Sequence, residues 1–193
     1  NSTQFMQKGS VNLIVNLVDL HESVAGILGY GDGKYLEIAQ KVVKTSVDVA
    51  AENGRQDNDA VGIAMITDDS AARFAALDTE RFGKIVPQAG QRSAYSQGMT
   101  IPAAEVTTMK KDSPLVVECN TLEKMLNGGL MVTLDVNDGM GSAELSAAIQ
   151  RAAGMLTFLR PRARVYICGN CGQRSTQAVD KCQGCKSPHI VPN

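Results

Sequence analysis

The sequence predicts an α/β fold with parallel strands that runs into a small four-cysteine metal module. Three observations predict it. Short β-branched apolar runs alternate with amphipathic segments over residues 10–83. Four of the five cysteines form two Cys-x-x-Cys pairs, at 168–171 and 182–185. The 193 residues are 44% hydrophobic and 20% charged, an ordinary globular composition that supports one sizeable core or a domain with an appendage.

Each element follows from its local pattern. Ser10–Val18 (SVNLIVNLV) reads as a buried strand, and DLHESVAGILGYG as a short helix closed by Gly29 and Gly31. The next segment spaces Leu36, Ile38, Ala39, Val42, Val43, Val47 and Ala50 as an amphipathic helix, stopped near Gly54. DAVGIAMIT is a second buried strand. DDSAARFAALDTERFG is a helix capped by Asp68, Asp69 or Ser70. Strand–helix–strand–helix in this order suggests a parallel layer. Further on, QRSAYSQGMTIPAAEV reads as a strand entering a loop. SPLVVECNTLEKMLNGG reads as an extended run, a short helix and a glycine stop. GLMVTLDV is a strand, and SAELSAAIQRAAGMLTFL a helix with Ser142 as N-cap and Glu144 close behind it. The expected boundary lies near Arg160, in RPRAR, giving residues 1–160 as the α/β portion and 161–193 as the cysteine module.

Composition also excludes. No apolar run reaches the roughly 18 residues a membrane span needs, and the start lacks the basic-then-apolar pattern of a secretory signal, so a cytoplasmic protein without membrane contact is expected. A formal net charge of -1 argues against broad electrostatic binding to nucleic acid.

The pattern Cys168-x-x-Cys171, ten residues, Cys182-x-x-Cys185 is the strongest chemical signal. Two such pairs each bend around one ion, with Gly169, Gly172 and Gly184 supplying backbone freedom. Four thiolates suit a closed tetrahedral Zn site, ahead of Fe. Two disulfides, or a thioredoxin-like redox pair, fit this setting less well. Cys119 stands apart after an apolar run and reads as a buried structural thiol rather than a reactive one.

Three weaker constellations remain. His21 beside Glu22 lies at a strand-to-helix junction, where α/β folds place active sites; a surface His with a helix-start carboxylate is the alternative. The helix start at Asp69, Ser70, Ala71 and Ala72 offers free N–H groups to a phosphate, whereas the two aspartates favour plain capping. Asn127-Gly128-Gly129 is a turn whose glycine would let another backbone approach.

In this order, VNLIVNLVDLHESVAGILGYG, TDDSAARFAALDTERFGK, AYSQGMTIP, EKMLNGGLMVTLDV and the terminal CGNCG…CQGC resemble the C-terminal part of anaerobic (class III) ribonucleotide reductases, of the glycyl radical enzyme family. The resemblance implies part of a ten-stranded α/β barrel followed by a zinc-ribbon-like module. It implies reduction of ribonucleoside triphosphates to deoxyribonucleotides, without oxygen. A glycyl radical raised by a radical S-adenosylmethionine activase makes a transient thiyl radical on a barrel cysteine. Cys168, Cys171, Cys182 and Cys185 match the family's Zn ligands, and Asp69–Ala72 its substrate-phosphate helix start. The partners implied are the remaining reductase segments and a second copy of the full enzyme.

The departures matter too. TDDSAARF puts two acids where the family's helix start is more neutral. The radical glycine belongs after the last Zn cysteine and the thiyl cysteine before residue 1, so both are expected outside these residues and the chain alone is expected not to turn over. A fragment, a piece of a split enzyme and a degenerate relative keeping the scaffold are all consistent with this, as is a structural partner completing another chain's barrel. A different class of reading is a zinc-ribbon binding module for nucleic acid or protein. Its support is the basic cluster Arg160, Arg162, Arg164, Arg174, Lys181 and Lys186; the lack of an aromatic residue within the knuckles counts against it.

Overall fold

A computed structural model describes residues 13–28, 34–57, 60–83, 95–137, 139–163 and 165–192. In chain order the elements are β1 (Leu13–Asn16), α1 (Leu20–Leu28), α2 (Tyr35–Asp57), β2 (Val61–Met65), α3 (Ser70–Phe82) and β3 (Met99–Ile101). There follow α4 (Ala103–Val106), α5 (Pro114–Glu123), β4 (Gly129–Leu130), β5 (Val132–Val136), α6 (Ser142–Ala153) and β6 (Leu159–Ala163). The chain ends with β7 (Tyr166–Cys168), β8 (Arg174–Ser175) and β9 (Ile190–Pro192). It is a mixed α/β protein with parallel sheets, as expected, and falls into two compact units. One holds Asn1–Met99 with Pro114–Met131, the other Thr100–Ser113 with Val132–Asn193.

The first unit is built on a parallel sheet in the order β1-β2-β4. Its core is aliphatic: Ile63, Ala64 and Met65 of β2, Ala39, Val43 and Ala50 of α2, and Val116, Cys119 and Leu122 of α5 are all buried. α2 packs on β2, α1 and α5. Helical spacing of small and branched residues on one face of α2 carries this packing. Its face extends to Gly54, which is buried. The expected helix stop there is therefore corrected: α2 continues to Asp57, and the glycine serves the buried face rather than the terminus.

Other expectations are also corrected. β1 is a strand but not a buried one. Leu13, Ile14 and Val15 are each about half exposed, at 51%, 50% and 49%. β1 stands at the end of the sheet order and pairs only with β2 among the described strands. PLVVEC is helical, not extended. Pro114 takes the first position of α5, where its missing N–H costs nothing. Val116, Cys119, Leu122 and Leu126 then fall inward at helical spacing. GLMVTLDV is two strands broken at Met131, with β4 in one sheet and β5 in another. α6 is capped at Gly141, without a side-chain bond, so Ser142 is its first residue rather than its N-cap. Gly29 and Gly31, and Ser10–Asn12 of the first expected strand, lie outside the described residues.

In the second unit, β5 pairs in parallel with β6 in a sheet ordered β3-β5-β6. The RPRAR segment supplies β6; Pro161 is tolerated because this strand ends the sheet order. An antiparallel sheet, β8-β7-β9, carries the cysteine module.

The turn Asn127-Gly128-Gly129 does what its glycine suggested. A Cβ on Gly128 would sit 2.9 Å from both the carbonyl carbon and oxygen of Ile63. The Gly128 N–H donates to Ile63 O at 2.8 Å, and the Asn127 amide oxygen accepts the Ile63 N–H at 2.7 Å. Gly128→Ala should therefore cost about 1–3 kcal/mol, and Asn127→Ala about 1–3 kcal/mol through the orphaned Ile63 N–H. Chemical denaturation of each variant beside the parent checks this; unchanged midpoints would show that the turn does not hold β2.

Candidate metal centre

The two Cys-x-x-Cys segments fold as copies of one hydrogen-bonded knuckle. In the first, the Gly172 N–H donates to Cys168 O at 2.8 Å and the Cys168 N–H to Gln173 O at 2.9 Å. In the second, the Lys186 N–H donates to Cys182 O at 2.9 Å and the Cys182 N–H to Ser187 O at 2.8 Å. The residue after each second cysteine is left-handed: Gly172 at φ 74° and Lys186 at φ 60°. Among the knuckle glycines, then, Gly172 serves conformation. Gly169 and Gly184 serve space, because a Cβ at either would lie 2.3 Å from the His189 ring or the Gln173 amide oxygen.

This geometry brings all four predicted ligands together. Their sulfurs lie within 4.8 Å of one another. Cys168 and Cys185 are 3.5 Å apart, as are Cys171 and Cys182. Those distances far exceed the roughly 2.05 Å of a disulfide. They are close to the about 3.8 Å between sulfurs on a tetrahedral ion with Zn–S bonds of about 2.3 Å. The set therefore fits a thiolate-bound metal, compatible with structural zinc. Backbone N–H groups already favour thiolate. The Ser187 N–H, then the Asn170 amide, draw the Cys185 thiol down to about 6. The N–H groups of Cys185 and Gly184 lower Cys182. At Cys171 the Gln173 N–H pulls down, but the sulfurs of Cys182 and Cys185 outweigh it and the thiol rises to about 12. Without an ion, four clustered sulfurs cannot all be ionised; a divalent metal removes that conflict.

Asp69, Ser70, Ala71 and Ala72 do open a helix, α3, and the Ser70 N–H at its start is already engaged. Asp69 is the N-cap without a side-chain bond. Asp68 is the residue that caps: its Oδ1 accepts the Ser70 N–H at 2.8 Å and the Ser70 hydroxyl at 2.5 Å. The Gln97 amide donates to the same oxygen at 2.5 Å, and Asn16 to Oδ2 at 3.3 Å. The Ser70 hydroxyl, then its N–H, hold the Asp68 carboxyl below its ordinary value. A phosphate reaching the Ser70 N–H must displace this carboxylate. Ala71 is buried and Ala72 exposed. Asn16 and Gln97 carried no signal in the sequence, because their partners are more than twenty-five residues away.

His21 is half-buried and has side-chain neighbours. Its Nδ1 is 2.8 Å from the Tyr35 hydroxyl and 3.5 Å from Glu118 Oε1, which is buried and accepts no hydrogen bond among the described residues. Burial, then the Glu118 charge, push the Tyr35 phenol far above its ordinary value. Cys119 is buried, and burial followed by the charges of Glu118 and Glu123 raises its thiol to about 12, consistent with the structural reading. Of the basic cluster, Arg162 pairs with Asp135 at 2.8 Å, and Lys186 donates to Gln183 O at 3.0 Å. Arg160, Arg174 and Lys181 are exposed, and Arg164 lies outside the described residues.

No family model matches this chain and no curated protein matches it. Its fold does match solved structures, anaerobic ribonucleotide reductases among them. One matches with a TM-score of 0.56 at 12% identity, over 93% of this chain and 30% of its own. The enzyme of Thermotoga maritima with dATP bound in the specificity site gives 0.56 at 12% identity, over 97% of this chain and 33% of its own. The same enzyme in complex with dATP and CTP gives 0.54 at 12% identity, over 93% and 31%. The likeness is one of fold, and this chain spans about a third of the length of the chains it matches.

Two predictions follow from the geometry. Because the folded Asp68 carboxyl is depressed from 3.8, its contribution to stability is present above that pH and is lost as pH falls through the lower folded value. Asp68→Ala should melt below the parent at neutral pH, and the gap should close in strong acid; a pH-independent gap would mean the charge is not what matters. At the knuckles, Gly172→Ala should cost about 1–2 kcal/mol and weaken retention of a bound metal against a chelator, whereas Lys186→Gly should strengthen it.

Proposed function

We propose that this chain is the C-terminal part of an anaerobic ribonucleoside-triphosphate reductase: a portion of the ten-stranded α/β barrel with the zinc module behind it. The observation that carries the reading is the match to reductase structures over 93% or more of the chain, in a protein whose four-cysteine cluster stands where the sequence resemblance places the family's zinc. The exposed apolar edge of β1 supports it, since parallel sheets of this kind are normally covered on both faces and continued at their edges.

On this reading Cys168, Cys171, Cys182 and Cys185 hold Zn, which supplies a closed structural cross-link rather than an open catalytic position. The module clasps the segment that bears the radical glycine in the whole enzyme. The substrate is a ribonucleoside triphosphate, and the helix start at Asp69–Ala72 faces its phosphates once the Asp68 carboxylate has swung aside. The glycyl radical, the thiyl cysteine, the activase and the second copy belong to the complete enzyme. The nucleic-acid reading is the weaker one: Arg162 already pairs with Asp135, and the Lys186 ammonium already donates to a carbonyl.

Metal analysis of the purified chain should find close to one Zn per chain. Cys168→Ser and Cys182→Ser should each lose metal and loosen the cysteine module while the α/β part still melts cooperatively, because structural zinc binding is coupled to local folding. Full metal content and an unchanged melt in both variants would overturn the ligand assignment. The chain by itself should not reduce nucleotides, and should regain that activity only when joined to the remaining reductase segments and activated. Reduction by the 193-residue chain alone would overturn the assignment of its missing parts.

A further inference from the structure

We propose that Cys171 is the thiolate at which the metal-loaded cluster is open to soft electrophiles, and that Asn170 withholds Cys185 from the same attack. The inference rests on the metal reading above. Two of the four sulfurs are out of reach: Cys168 is 2% exposed and Cys182 is 3% exposed. Cys171 and Cys185 are both exposed. They hold equivalent places in the two knuckles, and each receives a backbone N–H from two residues further on, Gln173 for Cys171 and Ser187 for Cys185. Burial and backbone therefore do not separate them.

A side chain does. Asn170, inside the first knuckle, reaches across to the second and places its amide Nδ2 3.7 Å from the Cys185 sulfur. An N–H donor draws density from a thiolate lone pair and stands over the atom an electrophile must reach. Among the described residues no side-chain amide hydrogen-bonds to Cys171, whose sulfur lies 3.5 Å from that of Cys182. Gln173 does not fill the role, because its amide oxygen faces Cys182 at 3.2 Å. The two knuckles are thus alike in backbone and unlike in protection.

The step is an ordinary substitution. With iodoacetamide, the Cys171 sulfur lone pair attacks the methylene carbon, the S–C bond forms, the C–I bond breaks, and iodide leaves. The neutral thioether is a poor ligand, so the ion is left with three thiolates and passes to a chelator.

The test uses the zinc-loaded 193-residue chain and limiting iodoacetamide, with peptide mapping by mass spectrometry and zinc release followed by a metallochromic indicator. Cys171 should be alkylated roughly tenfold faster than Cys185, the scale one charge-assisted hydrogen bond supports. Zinc release should track Cys171 modification. In Asn170→Ala, with zinc content unchanged, Cys185 should come within about twofold of Cys171. Equal or faster alkylation of Cys185 in the parent overturns the proposal, and so does an unchanged ratio in a metal-replete Asn170→Ala. If that variant loses zinc, the order of modification in the parent decides. A parent chain that holds no metal overturns the metal reading as well; metal held with the wrong order overturns this inference alone.

Discussion

The first unit depends on the satisfaction of β2. A central strand cannot leave backbone groups unpaired where water is excluded. β1 supplies one edge, in parallel register from Leu13 against Val61 to Asn16 against Ala64. On the other edge β4 is only two residues long, so the missing bonds come from elsewhere. Asn127 and Gly128 stitch Ile63, and the Asn127 amide reaches Val61 O at 3.3 Å. Just past the strand, the Asn16 side chain accepts from the Ile66 N–H and donates to Ile66 O, both at 2.9 Å. Two asparagines therefore extend β2's pairing before and after the point where strands can do so. The close approach at Gly128 is the consequence: only a residue without a side chain lets that turn lie against Ile63.

The same economy shapes the polar ensemble beyond β2. Asn16 also reaches Asp68, Asp68 caps α3, and Gln97 ties Asp68 to Ser70 at 3.1 Å from the Ser70 hydroxyl. Asp19, itself left-handed at φ 62°, accepts both the N–H and the hydroxyl of Ser96. The start of α3 is thus held by internal carboxylate and amide groups. The positive end of α3 is answered by the charge nearest to it, and any anion approaching that end has to compete with that charge.

The cysteine module follows a different logic. Its core is small, and the antiparallel sheet of β8, β7 and β9 is short. What defines it is repetition of one knuckle, which aims two pairs of sulfurs at a common centre. The backbone is prepared for a metal at every step: a left-handed residue after each second cysteine, N–H groups turned to the sulfurs, and glycines where His189 and Gln173 need room.

Residue type and short-range spacing were enough for the parallel α/β class, for helices in the 35–57, 70–82 and 142–153 segments though not for where the first of them ends, for the clustering of the four cysteines and for the glycine turn at 127–129. These depend on periods of two to four residues and on thiol spacing, which the chain carries locally. The reading failed where neighbours far away in sequence decide. PLVVEC has the composition of a strand, yet Pro114 starts a helix there because Val116, Cys119 and Leu122 find a core on one face. LIV has the composition of a buried strand, yet β1 stands at the end of its sheet order. Asn16, Gln97, Tyr35, Glu118 and Asn170 look unremarkable in sequence and acquire roles only when the fold sets them beside Ile66, Asp68, His21 and Cys185. Hydrogen-bond partners and burial are properties of tertiary contact. The sequence by itself determined which groups could bind a metal; only the folded chain decided which of those groups are shielded, because shielding is made by residues from elsewhere in the chain.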